Sequence, residues 1–359
     1  MSKTSKYLII CTFLIGIGIV LYIVGFLLGE SVTGIGINGR GFQIYTWNHA
    51  KNNGVDYCEE DNIDLESFQN MDINIAYADL KIKESDHYGI SYKVLKNSPL
   101  SYETKNGTLY VKQANNPTEI SSFNWMFFGF NGLGDSSSYV NSLVTVYIPE
   151  NAALDSISVS NECGNIELCS LNASSVFLFD DYGDVALTDI NSPSISLDVN
   201  SGNLQMSNIT TDTLSSNLDY GDFRMKQVTV NGNADITMES GSLYMGEIFV
   251  QTLKAESEYG DITAETLSAG DVYFSLESGS CELKDFVFDS VNASSDYGNV
   301  TLNVTAPVGD YSYDLYTDYG TVEIDDQDMG TKYKSLSSSN SAKHINVSCE
   351  SGDIKIKGL

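Results

Sequence analysis

A glycine turn that recurs about every nineteen residues constrains this chain more than any other feature. The turns read ECGNIEL, DYGDVAL, NSGNLQM, DYGDFRM, ESGSLYM, EYGDITA, ESGSCEL, DYGNVTL, DYGTVEI and ESGDIKI. From Gly164 to Gly352 the successive spacings are 19, 19, 19, 20, 19, 19, 19, 22 and 32 residues. A period of this length marks a stacked architecture: one unit cannot bury its own apolar face, and its neighbours complete the core.

The residues around each glycine show what kind of unit is stacked. Two and four positions after it stand apolar pairs such as Ile166 and Leu168, Val185 and Leu187, and Leu204 and Met206. A third apolar column, including Leu171, Ile190 and Ile209, lies seven positions after it. Seven and five positions before it stand pairs such as Val176 and Leu178, and Ile195 and Leu197. Apolar residues alternating with polar ones mean strands with one buried face. A β-propeller blade needs about 40 residues, and a leucine-rich repeat needs its Leu/Asn signature, so neither fits. The expected fold is all-β, a parallel β-solenoid of 19-residue coils over residues 151–359. The glycine is expected to supply positive φ at a tight turn. Residues 31–150 lack the period but carry alternating stretches such as MDINIAYADLKIKES and GTLYVKQ. They are read as a strand-rich leader or cap, either a leading sheet or the first, longer coils.

Residues 7–28 form an uncharged apolar run, YLIICTFLIGIGIVLYIVGFLL. About 20 such residues span the hydrocarbon as a helix, whereas a cleaved signal has a shorter apolar region and a small-x-small site. The run predicts one uncleaved transmembrane signal anchor. Lys3 and Lys6 before it and Glu30 after it place residues 1–6 in the cytoplasm and the rest outside. Plasma-membrane localisation follows, with the membrane itself as a partner. The cysteines outside the run, Cys58, Cys163, Cys169, Cys281 and Cys349, are odd in number and include no C-x-x-C pair. Buried free thiols are the expectation.

One apolar anchor, a strand-rich leader and repeated D/E-[YS]-G-[DNS]-apolar turns resemble the bacterial "putative adhesin" domain family. The resemblance covers about residues 70–359. It implies a β-strand-repeat fold and a place at the cell envelope, where related domains occur in Gram-positive envelope-stress systems. It transfers no active site, because the turn motif is architectural.

The chemistry on offer is mostly acidic. The chain has 48 acidic and 19 basic residues, a net charge of −29, which excludes nucleic acid as a partner. Two positions before the glycine stand Glu162, Asp181, Asp219, Glu239, Glu258, Glu277, Asp296, Asp318 and Glu350, with Asn200 interrupting. Stacked like charges call for compensation. Calcium is the cofactor such oxygens would take; the plainer reading has them solvated, or accepting turn N–H bonds. The next position alternates Tyr and Ser until the last turns, either as a stacking strip for sugars or because each Tyr covers a small neighbour. Residues 121–134, SSFNWMFFGFNGLG, put Phe123, Trp125, Met126, Phe127, Phe128 and Phe130 between two strands. They would dock on a partner or plug an open solenoid end. An enzyme acting on an anionic glycan would want basic residues, and from 151 to 330 only Arg224, Lys226, Lys254 and Lys284 serve. The function expected is non-enzymatic: an adhesin or interaction module binding an envelope protein or glycan. The alternative is a sensing or regulatory subunit.

Overall fold

Alternating apolar residues form strands here because a pleated backbone sends successive side chains to opposite faces, and only one face needs a core. A computed structural model describes residues 32–38, 41–46, 57–114, 142–336 and 343–358. Among them the regular structure is all strand apart from one 3-10 turn, Val308–Asp310. Residues 7–28 lie outside the described residues, and no described helix is long and apolar enough to cross a membrane.

The chain divides into two compact units. Of the first, an antiparallel hairpin is described, β1 (Val32–Asn38) and β2 (Gly41–Thr46), with Ile35 opposite Ile44. The second, residues 58–114 and 140–359, holds the repeats. Each coil sends one strand up to its glycine and another away from it, and both pair in parallel with the next coil. The first wall aligns Ile157, Val176, Ile195, Leu214, Ala234, Leu253, Val272 and Val291. The second aligns Leu168, Leu187, Met206, Met225, Met245, Ala264, Leu283 and Leu302. All are buried, and each larger one stabilises the stack by roughly 1.5–3 kcal/mol. A second corner falls six positions after most glycines. Ser170, Asp189, Asn208, Gln227, Glu247 and Asp285 turn there with φ between 45 and 59°.

The leader supplies β3 (Tyr57–Asp64), β4 (Asn70–Ile75), β5 (Asp79–Ser85), β6 (Gly89–Leu95), β7 (Leu100–Lys105), β8 (Thr108–Gln113) and β9 (Leu143–Pro149). Four of these extend the same two walls. β4 and β5 pair in parallel with the Gly164 coil, and β8 and β9 pair with β4 and β5. Because Asn161 pairs with Ile75 and Ile166 with Leu80, Gly164 falls opposite Ala78. Ala76-Tyr77-Ala78-Asp79-Leu80 is therefore a further turn of the repeat, with alanine in the glycine position.

The last two coils depart from chain order. Strand Lys343–Ser351, the final coil, pairs on one side with Ser290–Tyr297 and on the other with Tyr311–Tyr319. Strand Ile354–Lys357 lies likewise between Val300–Val304 and Val322–Ile324. The C-terminal coil is inserted beneath the one that precedes it in sequence.

Exposed ladder edges invite pairing with other chains, and antiparallel strands cover them here. At the N-terminal end β6 lies on β9 and β7 on β8. At the other end Lys332–Ser335 lies on Tyr311–Tyr319, and Gln327–Asp328 on Val322–Ile324. Stacked rings fill the core there. Phe286 and Phe288 have centroids 4.3 Å apart, and Phe288 and Tyr311 are 5.5 Å apart. The aromatic stretch 121–134 lies outside the described residues, in the connection between β8 and β9.

Candidate functional site

Every coil of the glycine repeat makes the same turn at one corner, so one position of the repeat becomes one column in space. The glycine column is the tightest. A Cβ on Gly202 would stand 1.8 Å from the Gly183 carbonyl oxygen, and Gly202 holds φ at +143°. Only glycine permits this approach. Close stacking, added to the positive φ expected from the sequence, is what excludes other residues.

The residue after the glycine forms a second ladder. Its side-chain oxygen accepts the backbone N–H of the equivalent residue one coil on. Asp79 Oδ1 takes Asn165 N–H at 2.8 Å, Asn165 takes Asp184 at 2.9 Å, and Asp184 takes Asn203 at 2.8 Å. Asn203, Asp222, Ser242, Asp261 and Ser280 continue the series. It then passes from Asn299 to Asp353 at 2.8 Å and from Asp353 to Thr321 at 2.9 Å, following the inserted coil. Thr321 donates both N–H and hydroxyl, which holds the Asp353 carboxyl below the usual carboxylate range.

The column two positions before the glycine points outward. Glu162, Asp181 and Asp219 are half-buried, and Glu239, Glu258, Glu277, Asp296, Asp318 and Glu350 are exposed. Asn200 donates its side-chain amide to Asp181, and the Tyr316 hydroxyl bonds Asp318. Among the described residues no three His, Cys, Asp or Glu side chains are grouped to hold a metal ion.

Between these columns lies the aromatic one. Tyr182, Tyr220, Tyr259, Tyr297 and Tyr319 are 65, 61, 60, 65 and 81% exposed. Along the chain the alternation with serine fails at the end, where Tyr297 is followed by Tyr319 and then Ser351. In space the inserted coil puts Ser351 beside both tyrosines, since the ladder pairs Tyr297 with Ser351 and Ser351 with Tyr319. The column runs Tyr182, Ser201, Tyr220, Ser240, Tyr259, Ser278, Tyr297, Ser351, Tyr319 without a break.

Inside the same corner, three positions before the glycine, a buried column went unread in the sequence. Asn161 and Asp180 stand opposite each other there, both 0% exposed. Among the described residues neither Asp180 carboxyl oxygen meets a donor in hydrogen-bond geometry, and Asn161 Oδ1 meets none either, so the neighbouring Asn161 amide only partly offsets the burial. Burial pushes the Asp180 carboxyl up to about 7; Asp181 and Asp184 add to the shift and Asn161 opposes it. The strand alternation extends to this column, but a charged residue in it reads as surface. The thiols divide. Cys281 and Cys349 are buried, and burial raises both pKa values, that of Cys349 to about 11. Contrary to the expectation of buried thiols, Cys58 and Cys169 are only half-buried and Cys163 is exposed, the last because it occupies the outward tyrosine column.

The family model described as Toastrack DUF4097 matches residues 68–285 and 193–357. Among solved structures, the chain is similar to a "putative adhesin" of Bacteroides fragilis, with 13% identity, 85% of this chain and 97% of that one covered, and a TM-score of 0.37. It is also similar to a "putative cell adhesion protein" of Clostridium sporogenes, with 12% identity, 85% and 100% covered, and a TM-score of 0.24. A third is a "putative lipid binding protein" of Parabacteroides distasonis, with 12% identity, 86% and 98% covered, and a TM-score of 0.33. No curated protein matches the chain.

Proposed function

The chain belongs to the Toastrack DUF4097 family, and from that membership and the corner strip we propose a non-enzymatic adhesion or interaction module of the bacterial cell envelope. Residues 7–28 anchor it in the plasma membrane, residues 1–6 remain in the cytoplasm, and the repeats face outward.

The observation that carries this reading is the line of five tyrosines, each at least 60% exposed, on a continuous parallel ladder. Repeated exposed aromatic surface is unusual on a chain with no partner. Hydrogen-bonded walls hold the tyrosines at fixed intervals, which suits capture of an extended ligand better than chemistry at one point. The test is attachment. Bacteria lacking the chain should bind less to envelope fragments and to neighbouring cells, and restoring the full chain should recover binding. Unchanged attachment overturns the reading. Protease added to intact cells should digest residues beyond 30; protection of the repeats would reverse the orientation.

The connection between β8 and β9 favours one second reading. Other coils pass this corner in a short turn, whereas here residues 114–142 intervene, with Phe123, Trp125, Met126, Phe127, Phe128 and Phe130 among them. A sensing or regulatory subunit would use that segment to hold a membrane partner. Deleting residues 121–134 should then abolish partner capture and leave the melting curve unchanged, whereas unfolding would make the segment part of the structure.

A further inference from the structure

Spatial order turns the tyrosine column into a regular comb. One serine coil lies between each tyrosine and the next, and strands in a sheet lie about 4.8 Å apart, so two steps bring the rings round about every 9.6 Å. The intervening positions carry only Ser201, Ser240, Ser278 and Ser351, leaving a notch between successive rings. Beside the comb runs the carboxylate column, with Asp181, Asp219, Glu258, Asp296 and Asp318 each next to a tyrosine in sequence. No basic residue occupies the carboxylate column, the tyrosine–serine column or the position after the glycine in any repeat. The positive groups three positions after the glycine, Arg224 and Lys355, are already paired, with Asp222 at 3.0 Å and with Glu323 at 3.3 Å.

We infer that this comb docks an extended cationic polypeptide in the polyproline II conformation, one rich in Pro and Arg or Lys. Such a helix rises about 9.3 Å per three-residue turn, within a few tenths of an ångström of the spacing between the tyrosines. Proline rings enter aromatic notches in a conformation already ordered before binding. A guanidinium on each turn meets a tyrosine face and the adjoining carboxylate together. A neutral glycan would use the rings but leave the carboxylates without a role. The inference rests on the interaction-module reading and names the surface and partner chemistry behind it.

The test titrates a labelled synthetic peptide of Pro-Pro-Arg triplets, one triplet per tyrosine, against the full chain in detergent micelles at physiological ionic strength. A Pro-Arg peptide with the same number of arginines is the register control. The double variant Tyr220→Ser with Tyr259→Ser is the site control. Serine already stands at this position on alternate coils, so the fold should accept it, and an unchanged melting curve checks that. The triplet peptide should bind, and the double variant should weaken binding by about tenfold or more. The Pro-Arg peptide should bind correspondingly less well. Equal affinity in the variant, or for both peptides, would reduce the comb to a diffuse acidic surface and overturn the proposal. Binding of a neutral chitin oligosaccharide that the variant loses, with no peptide binding, overturns it in favour of sugar stacking. Chain-dependent attachment without peptide binding sinks this proposal alone. Peptide binding that the variant loses supports it, even where attachment does not depend on the chain.

Discussion

Two residue positions show how little freedom the corner leaves. At Gly202 a methyl group would overlap a backbone oxygen that cannot retreat without breaking the wall. Gly202→Ala should therefore cost at least about 3 kcal/mol, seen as a lower melting temperature, against almost no change for Gly309→Ala. Gly309 has no atom within 4 Å of its Cβ position. Asp180 is the opposite case, a residue that the fold tolerates at a cost. Its folded pKa of about 7 exceeds the ordinary value of 3.8, so the folded state binds the proton more tightly than the unfolded chain. The stability this group contributes is complete below about pH 4 and is lost as pH rises through 7. At about 1.4 kcal/mol for each pH unit between those two values, the loss is on the order of 4 kcal/mol. Asp180→Asn should raise the melting temperature by several degrees at pH 8, with a gain that shrinks towards pH 4. A uniform gain at every pH would mean that the carboxyl is not titrating in this way.

At the scale of the element, the ladder after the glycine joins coils that the backbone already pairs. Aspartate, asparagine and serine all serve in it because each offers an oxygen to the next N–H. Replacing one should cost about 1 kcal/mol at an exposed corner. Asp353 is the exception, since it accepts both Thr321 groups and links the inserted coil to the outermost one. Asp353→Ala should speed hydrogen exchange in residues 311–336 while leaving the central coils protected. Its depressed pKa gives the sign of the pH effect: this stability is present above the ordinary value of 3.8 and is lost as pH falls through the folded pKa. Acid should thus loosen the same coil first. Equal exchange along all coils would show that the link carries nothing.

At the scale of the molecule, the inserted coil changes what truncation does. Removing residues 343–359 would shorten a solenoid stacked in chain order by one intact end. Here it withdraws the strand that supports Tyr311–Tyr319 on its parallel side. Residues 311–336 should lose protection as well, and trypsin should cut rapidly after Lys332 and Lys334. Undisturbed protection of 311–336 would mean that this coil can dock directly on Ser290–Tyr297.

The alternation and the glycine period were enough to read parallel strands, their inward columns and their common corner, because those are local and repeat on every coil. Ala78 concealed one turn, since its alanine breaks the motif while the fold tolerates it. Asp180 concealed the innermost column, since its charge reads as surface although alternation turns it inward. The order of the last two coils was beyond local reading. Strands of either coil offer the same pleat and the same apolar face to a neighbour, so nothing within one repeat states which lies beneath the other. Only the pairing of Lys343–Ser351 with both Ser290–Tyr297 and Tyr311–Tyr319 states the order. That order, and with it the unbroken alternation of tyrosine and serine, belongs to the tertiary structure.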